Sequence, residues 1–130
     1  MKKQSVLIPN RGNIALDIIQ SMRSMGLETI LLYSPEDAGS LPVKLADRSY
    51  KFFASRPEDS YMDLESIMEM AVDLKVDFLH PGYGFLSESP ELAEQCAQHG
   101  IVFIGPSAKV LRRCRDKIGM KNTARNMGMQ

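Results

Sequence analysis

One nine-residue stretch, His80-Pro81-Gly82-Tyr83-Gly84-Phe85-Leu86-Ser87-Glu88, concentrates the residue types that handle a ligand. Two glycines flank a tyrosine, and glycine lets backbone approach another group closely. The stretch follows the apolar run Val76-Asp77-Phe78-Leu79 and precedes a helix opening near Pro90. It therefore lies at the carboxyl end of a strand, the edge where open α/β sheets bind their ligands. His80 reads either as a base or as hydrogen-bonded scaffold, and no orienting partner for a base is visible. Glu88 reads as a carboxylate favouring the following helix N-terminus. The turn Asn10-Arg11-Gly12-Asn13 occupies the place of a phosphate loop but lacks the three-glycine dinucleotide fingerprint. There Asn10 reads as a helix cap with Arg11 paired locally, or Arg11 helps hold an anion. Near the C-terminus, Lys117 sits beside the apolar stripe Val110, Leu111, Cys114 and Ile118 of a basic helix. It is either part of a solvated basic face or an amine placed to reach a phosphate. No Ser-His-Asp arrangement, paired carboxylates or metal-ligand spacing appears, so no catalytic residue and no metal ligand is assigned.

The elements that must position these groups alternate. Strands are expected at 5–8, 28–33, 50–53, 76–79 and 101–104, the last covered on both faces. Helices are expected after Gly12 (apolar face Ile14, Ala15, Ile18, Ile19, Met22, Met25), as a turn within 41–47, and after a loop over 54–60 (face Leu64, Ile67, Met68, Ala71, Val72, Lys75). Two more follow: Pro90 to His99, burying Leu92, Ala93, Cys96 and Ala97, and a final helix capped by Ser107. This alternation defines an α/β fold: an open, mostly parallel sheet with helices on both faces.

With 130 residues, the chain reads as a single domain over 1–130. A formal net charge of zero gives no reason to expect nucleic acid or an anionic membrane as partner. No apolar run approaches the roughly 20 residues of a membrane span. With no signal peptide visible and two cysteines at no metal spacing, the chain reads as cytoplasmic. Cys96 and Cys114 read as buried small hydrophobes, and the nine methionines either as core filler or as a sticky interdomain face.

The motifs together resemble the N-terminal domain of biotin carboxylase, which also opens acetyl-CoA, propionyl-CoA and pyruvate carboxylases. Asn10-Arg11-Gly12-Asn13-Ile14-Ala15 is similar to the family's Asn-Arg-Gly-Glu-Ile-Ala, and 80–88 matches His-Pro-Gly-Tyr-Gly-Phe-Leu-Ser-Glu throughout. Phe103-Ile104-Gly105-Pro106 and Asp116-Lys117 complete the resemblance, which spans essentially the whole chain. Asn13, Asp17, Ser89 and Arg115 depart from it, at positions of glutamate, arginine, asparagine and glycine.

The resemblance implies a Rossmann-like pre-ATP-grasp domain that contributes part of a pocket. There, ATP-dependent activation of bicarbonate leads to carboxylation of biotin. It implies ATP, magnesium or manganese, and biotin as cofactors of the complete enzyme, none held tightly by this chain alone, which is expected to be inactive in isolation. Lys117 is implied as an ATP contact, and Tyr83, Gly84 and Gly82 as a rim of the biotin and bicarbonate pocket, with His80, Glu88 and Arg11 in support. The implied partners are an ATP-grasp segment, in cis or in trans and absent from these 130 residues, and a biotin carboxyl carrier domain. The other reading is a stand-alone, non-catalytic binding or interaction module on the same fold. Under the first reading, the methionine-rich, basic C-terminal helix should expose apolar surface.

Overall fold

Val6-Leu7-Ile8 and Ile30-Leu31-Leu32 are wholly buried apolar runs, as expected of strands covered on both faces. They lie in β1 (Ser5–Pro9) and β2 (Glu28–Tyr33), which pair in parallel from Ser5↔Glu28 to Pro9↔Leu32. The computed structural model describes residues 2–53 and 57–129. Its sheet has the order β3-β2-β1-β4-β5, with all pairings parallel; β3 is Arg48–Lys51, β4 Phe78–Leu79 and β5 Val102–Phe103. The helices are α1 (Gly12–Ser24), α2 (Leu41–Leu45), α3 (Pro57–Tyr61), α4 (Leu64–Asp73), α5 (Pro90–Gln98), α6 (Ala108–Arg115) and α7 (Lys117–Asn126).

Alternation along the strands divides the core. Leu7, Ile30 and Leu32 point to a layer with Tyr61, Ile67, Met68, Leu92 and Cys96 from α3, α4 and α5. Val6, Ile8 and Leu31 point the other way, to Ala15, Ile18, Ile19 and Met22 of α1. Helices thus cover both faces of a parallel sheet, the Rossmann-like arrangement. Strand order reverses at β1, with β2 and β3 to one side and β4 and β5 to the other. No helix among the described residues is long and apolar enough to cross a membrane.

Several local expectations are corrected. The third strand starts two residues early and ends at Lys51, because Phe52 turns into the core while Phe53 is fully exposed. A short helix, α3, occupies part of the expected loop 54–60; Ala54, Ser55 and Arg56 lie outside the described residues. Lys75 leaves the α4 face because it adopts the left-handed position ending that helix (φ 52), and Val72 is exposed. Strand β4 shrinks to two residues, and β5 is an edge strand whose Val102 is 55% exposed, not covered. Ala97 and Met25 are exposed.

The expected last helix is two. Asp116 breaks it, ending α6 and capping α7 by accepting the Gly119 N–H at 2.9 Å. Cys114 is exposed, while burial keeps Cys96 neutral by pushing its thiol up to about 11. Met22 and Met68 are core, but Met25, Met62, Met120, Met127 and Met129 are exposed, so most methionines are not filler. With Val110 and Ile118 also exposed, the C-terminal pair of helices presents apolar surface, as expected above.

Candidate functional site

Where strand order reverses, a crevice between the carboxyl ends of the diverging strands usually admits a ligand. Here the crevice between β1 and β4 is closed by the chain's own loop 80–88. Asn10, directly after β1 and 1% exposed, donates through Nδ2 to the carbonyls of Pro81 (2.8 Å) and Tyr83 (2.9 Å). Its Oδ1 accepts the Arg11 N–H at 2.8 Å. The expected cap role of Asn10 is therefore corrected: the N-cap of α1 is Arg11, without a side-chain cap, and the amide serves the loop instead.

Gly82 has φ +69, and a Cβ there would stand 2.8 Å from both Asn10 Nδ2 and Ile14 Cγ2. Only glycine lets this turn lie against α1. Gly84 is also left-handed (φ +74) but faces open space. Beyond it, Phe85 takes the same hand (φ 46) and stacks at 4.9 Å on the Tyr61 ring, anchoring the loop's far end to the core. The Ser87 N–H donates to Gly84 O (2.9 Å) and the Ser89 N–H to Leu86 O (3.0 Å).

His80 is scaffold. Its backbone N–H donates to Leu7 O (2.9 Å), its Nδ1 accepts the Gly82 N–H (3.1 Å), and burial lowers its pKa. Glu88 does not cap α5. Ser89 does, its Oγ accepting the Leu92 N–H at 3.2 Å, which leaves the Glu88 carboxylate exposed. Arg11 is not free for an anion, since its Nη2 lies 2.7 Å from Asp37 Oδ1. Burial works against the Asp37 charge, but hydrogen bonds from Arg11, Tyr61 and Ser34 outweigh it and hold the carboxyl below its usual range.

The ligand-sized space lies one step along the sheet, at the ends of β4 and β5. A cleft of about 580 Å³ runs between the loop, represented by Gly82, Ser87 and Glu88, and α6–α7, represented by Leu111, Cys114 and Lys117. Gly105 and Pro106 lie between the two walls. The structure brings together Gly82, Glu88 and Lys117 from the expected set. Tyr83, 78% exposed, and Gly84 stand outside the lining, on the outer surface of the loop. Lys117 is the first residue of α7, a position fixed by the Asp116 cap. Arg115, also on this wall, is drawn towards α5 by Glu91 (3.3 Å), and Arg112 pairs with Glu94 (2.6 Å). A groove of about 620 Å³ between α4 and α5 is slightly larger, but Glu65, Glu69 and Asp73 wall it and would repel a phosphate. Sequence reasoning missed the Asn10 tether and the Ser89 cap. A serine before Pro90 with Glu91 behind it was a readable cap signal.

These features define a Rossmann-like domain with a glycine-rich loop and a lysine sharing one cleft. The sequence model of the family described as biotin carboxylase, N-terminal domain, matches residues 2–111. Pyruvate carboxylase of Bacillus subtilis (strain 168) is 41% identical over 127 residues, covering 97% of this chain and 11% of that protein. The solved biotin carboxylase domain of a single-chain bacterial carboxylase superimposes with TM-score 0.94 at 35% identity, covering 98% of this chain and 29% of that one. The Hydrogenobacter thermophilus 2-oxoglutarate carboxylase biotin carboxylase domain, solved as a dimer with MgADP, ADP and bicarbonate, gives 0.91 at 34%, covering 98% and 28%. The chain belongs to the biotin carboxylase N-terminal domain family and spans less than a third of the length of each of these relatives.

Proposed function

We propose that this chain forms one wall of a biotin carboxylase active site, in which ATP activates bicarbonate as carboxyphosphate and the carboxyl group passes to biotin. The observation that carries the reading is that the glycine-rich loop and Lys117 face one cleft from opposite sides. An ammonium at the start of a helix, with the positive end of the helix dipole behind it, suits a phosphate. The relative solved with MgADP and bicarbonate supports the nucleotide and the anion as ligands.

In this reading Lys117 holds the nucleotide phosphates, and the loop from Gly82 to Glu88 borders the bicarbonate and biotin side. His80 and Asn10 fix the loop rather than touch substrate. Tyr83 and Gly84, on the loop's outer surface, meet biotin only where another segment completes the pocket. The described residues hold no group of three or more His, Cys, Asp or Glu able to bind a metal. A magnesium or manganese ion held by the nucleotide phosphates would therefore draw its protein ligands from outside the described residues. Charge stabilisation around a triphosphate needs more than one lysine. An ATP-grasp segment, in cis or in trans, therefore supplies the rest, and the exposed apolar side chains Ile118, Met127 and Met129 offer it a surface. A biotin carrier domain delivers the substrate.

The test is phosphate release by the full-length protein carrying this sequence, with and without bicarbonate and biotin. Cleavage of ATP should need bicarbonate and fall about a hundredfold in Lys117→Ala. Cleavage indifferent to bicarbonate, or untouched by the substitution, would refute the reading.

A further inference from the structure

Asn10 is among the largest wholly buried side chains and is polar. Every hydrogen-bonding atom of its amide is engaged, through Pro81 O, Tyr83 O and the Arg11 N–H. Its two acceptors are 71 and 73 residues away along the chain. Two other long-range contacts hold the ends of the loop: the His80 N–H to Leu7 O at its start and the Phe85 ring on Tyr61 at its far end. The bonds from Gly82 N–H to His80 Nδ1, Ser87 N–H to Gly84 O and Ser89 N–H to Leu86 O are short-range and fix only internal turns. Between the two ends, the Asn10 amide holds the loop to the end of β1, clamping both carbonyls beside Gly82, a cleft-lining residue that lies against α1.

We propose that Asn10 is a positioning residue for the substrate-facing loop, acting through the carbonyls of Pro81 and Tyr83; its effect on turnover rests on the carboxylase reading above. The side-chain chemistry is specific. Two carbonyl oxygens converge on one atom, so that atom must carry two N–H hydrogens, while the Arg11 N–H requires an acceptor on the same short stem. Aspartate has the same shape but turns lone pairs towards both carbonyls. Serine cannot reach both. Glutamine adds a methylene where Ile14 and Ile18 already crowd the turn.

The experiment is hydrogen exchange on the full-length Asn10→Asp protein, comparing loop peptides over 80–88 with core peptides over 28–33. Loop exchange should quicken about tenfold or more while the core stays within about twofold. In turnover, the Michaelis constant for bicarbonate should rise about tenfold and that for ATP by less than about threefold, a split that general destabilisation does not produce. Unchanged loop protection overturns the proposal. Should Asn10→Asp loosen the core as well, Asn10→Ser decides. A loosened loop over an intact core upholds positioning, and equal loss in both overturns it. Faster loop exchange in a protein whose wild type lacks bicarbonate-dependent ATP cleavage upholds the Asn10 role and refutes the carboxylase reading.

Discussion

The Tyr61 hydroxyl donates to Asp37 Oδ2 at 2.7 Å while accepting the buried Ser34 N–H at 3.0 Å. Burial foremost, with the Asp37 carboxylate adding to it, raises the Tyr61 pKa, so the hydroxyl remains a donor. The same ring supports Phe85 at the end of the glycine-rich loop and meets Phe52 edge-on at 5.5 Å. One side chain thus joins the network that occupies Arg11 to the anchor of the candidate site. Tyr61→Phe keeps the ring stacking but leaves the Ser34 N–H unpaired and removes one of the two donors to Asp37 Oδ2, the Ser34 hydroxyl remaining. It should lower unfolding free energy by about 1–3 kcal/mol in denaturant titration. An unchanged midpoint would show that the network contributes nothing.

The two glycines of the loop should differ. Gly82→Ala combines left-handed strain with collisions against Asn10 and Ile14, and should cost about 2–4 kcal/mol. Gly84→Ala meets open space and should cost only about 1 kcal/mol. Thermal unfolding of both variants checks the order. Equal losses would mean that the loop does not lie against α1.

Acid should loosen the loop through His80. In the unfolded chain an imidazole titrates near ~6.5, and burial lowers that value in the fold. The unfolded state then binds the proton first as pH falls, so the His80 contribution is complete above about 6.5 and is lost as pH drops through the lowered folded value. The incoming proton takes the lone pair of Nδ1 that accepts the Gly82 N–H. NMR titration of the His80 ring should give a midpoint below the free-imidazole value, with Gly82 amide protection falling in step. A midpoint at or above that value would contradict the arrangement.

Asp116→Ala should act on both helices that it separates. Losing the cap to Gly119 should destabilise α7 by about 0.5–2 kcal/mol, seen as faster amide exchange over 117–120. Lys117 would lose its fixed place at the cleft. Retained protection there would argue that the helix break has another cause.

How far the sequence disclosed this follows from what each residue answers to. Glu28 to Tyr33 is a run of β-formers flanked by turns, and its strand bounds are as expected. Gly26 and Gly100 end their helices in the left-handed conformation expected of them. Phe52 and Phe53 misled because two adjacent aromatics look like strand, while only the first finds the core. The 107–121 helix looked continuous because its apolar stripe runs through Asp116; the break depends on one carboxylate turning back to Gly119. Of the site, the loop and Lys117 were legible as motifs. The Asn10 tether was not, because a local cap and a contact 71 residues away use the same amide.

The central claim is that Lys117, across the cleft from Gly82 and Glu88, grips nucleotide phosphate. Calorimetric titration of the full-length protein with MgATP, wild type against Lys117→Ala, measures this directly. A charge-assisted contact of about 2–3 kcal/mol predicts affinity weakened roughly 30- to 150-fold, with the unfolding midpoint unchanged because the side chain is exposed. Equal affinity in the two proteins would contradict the account.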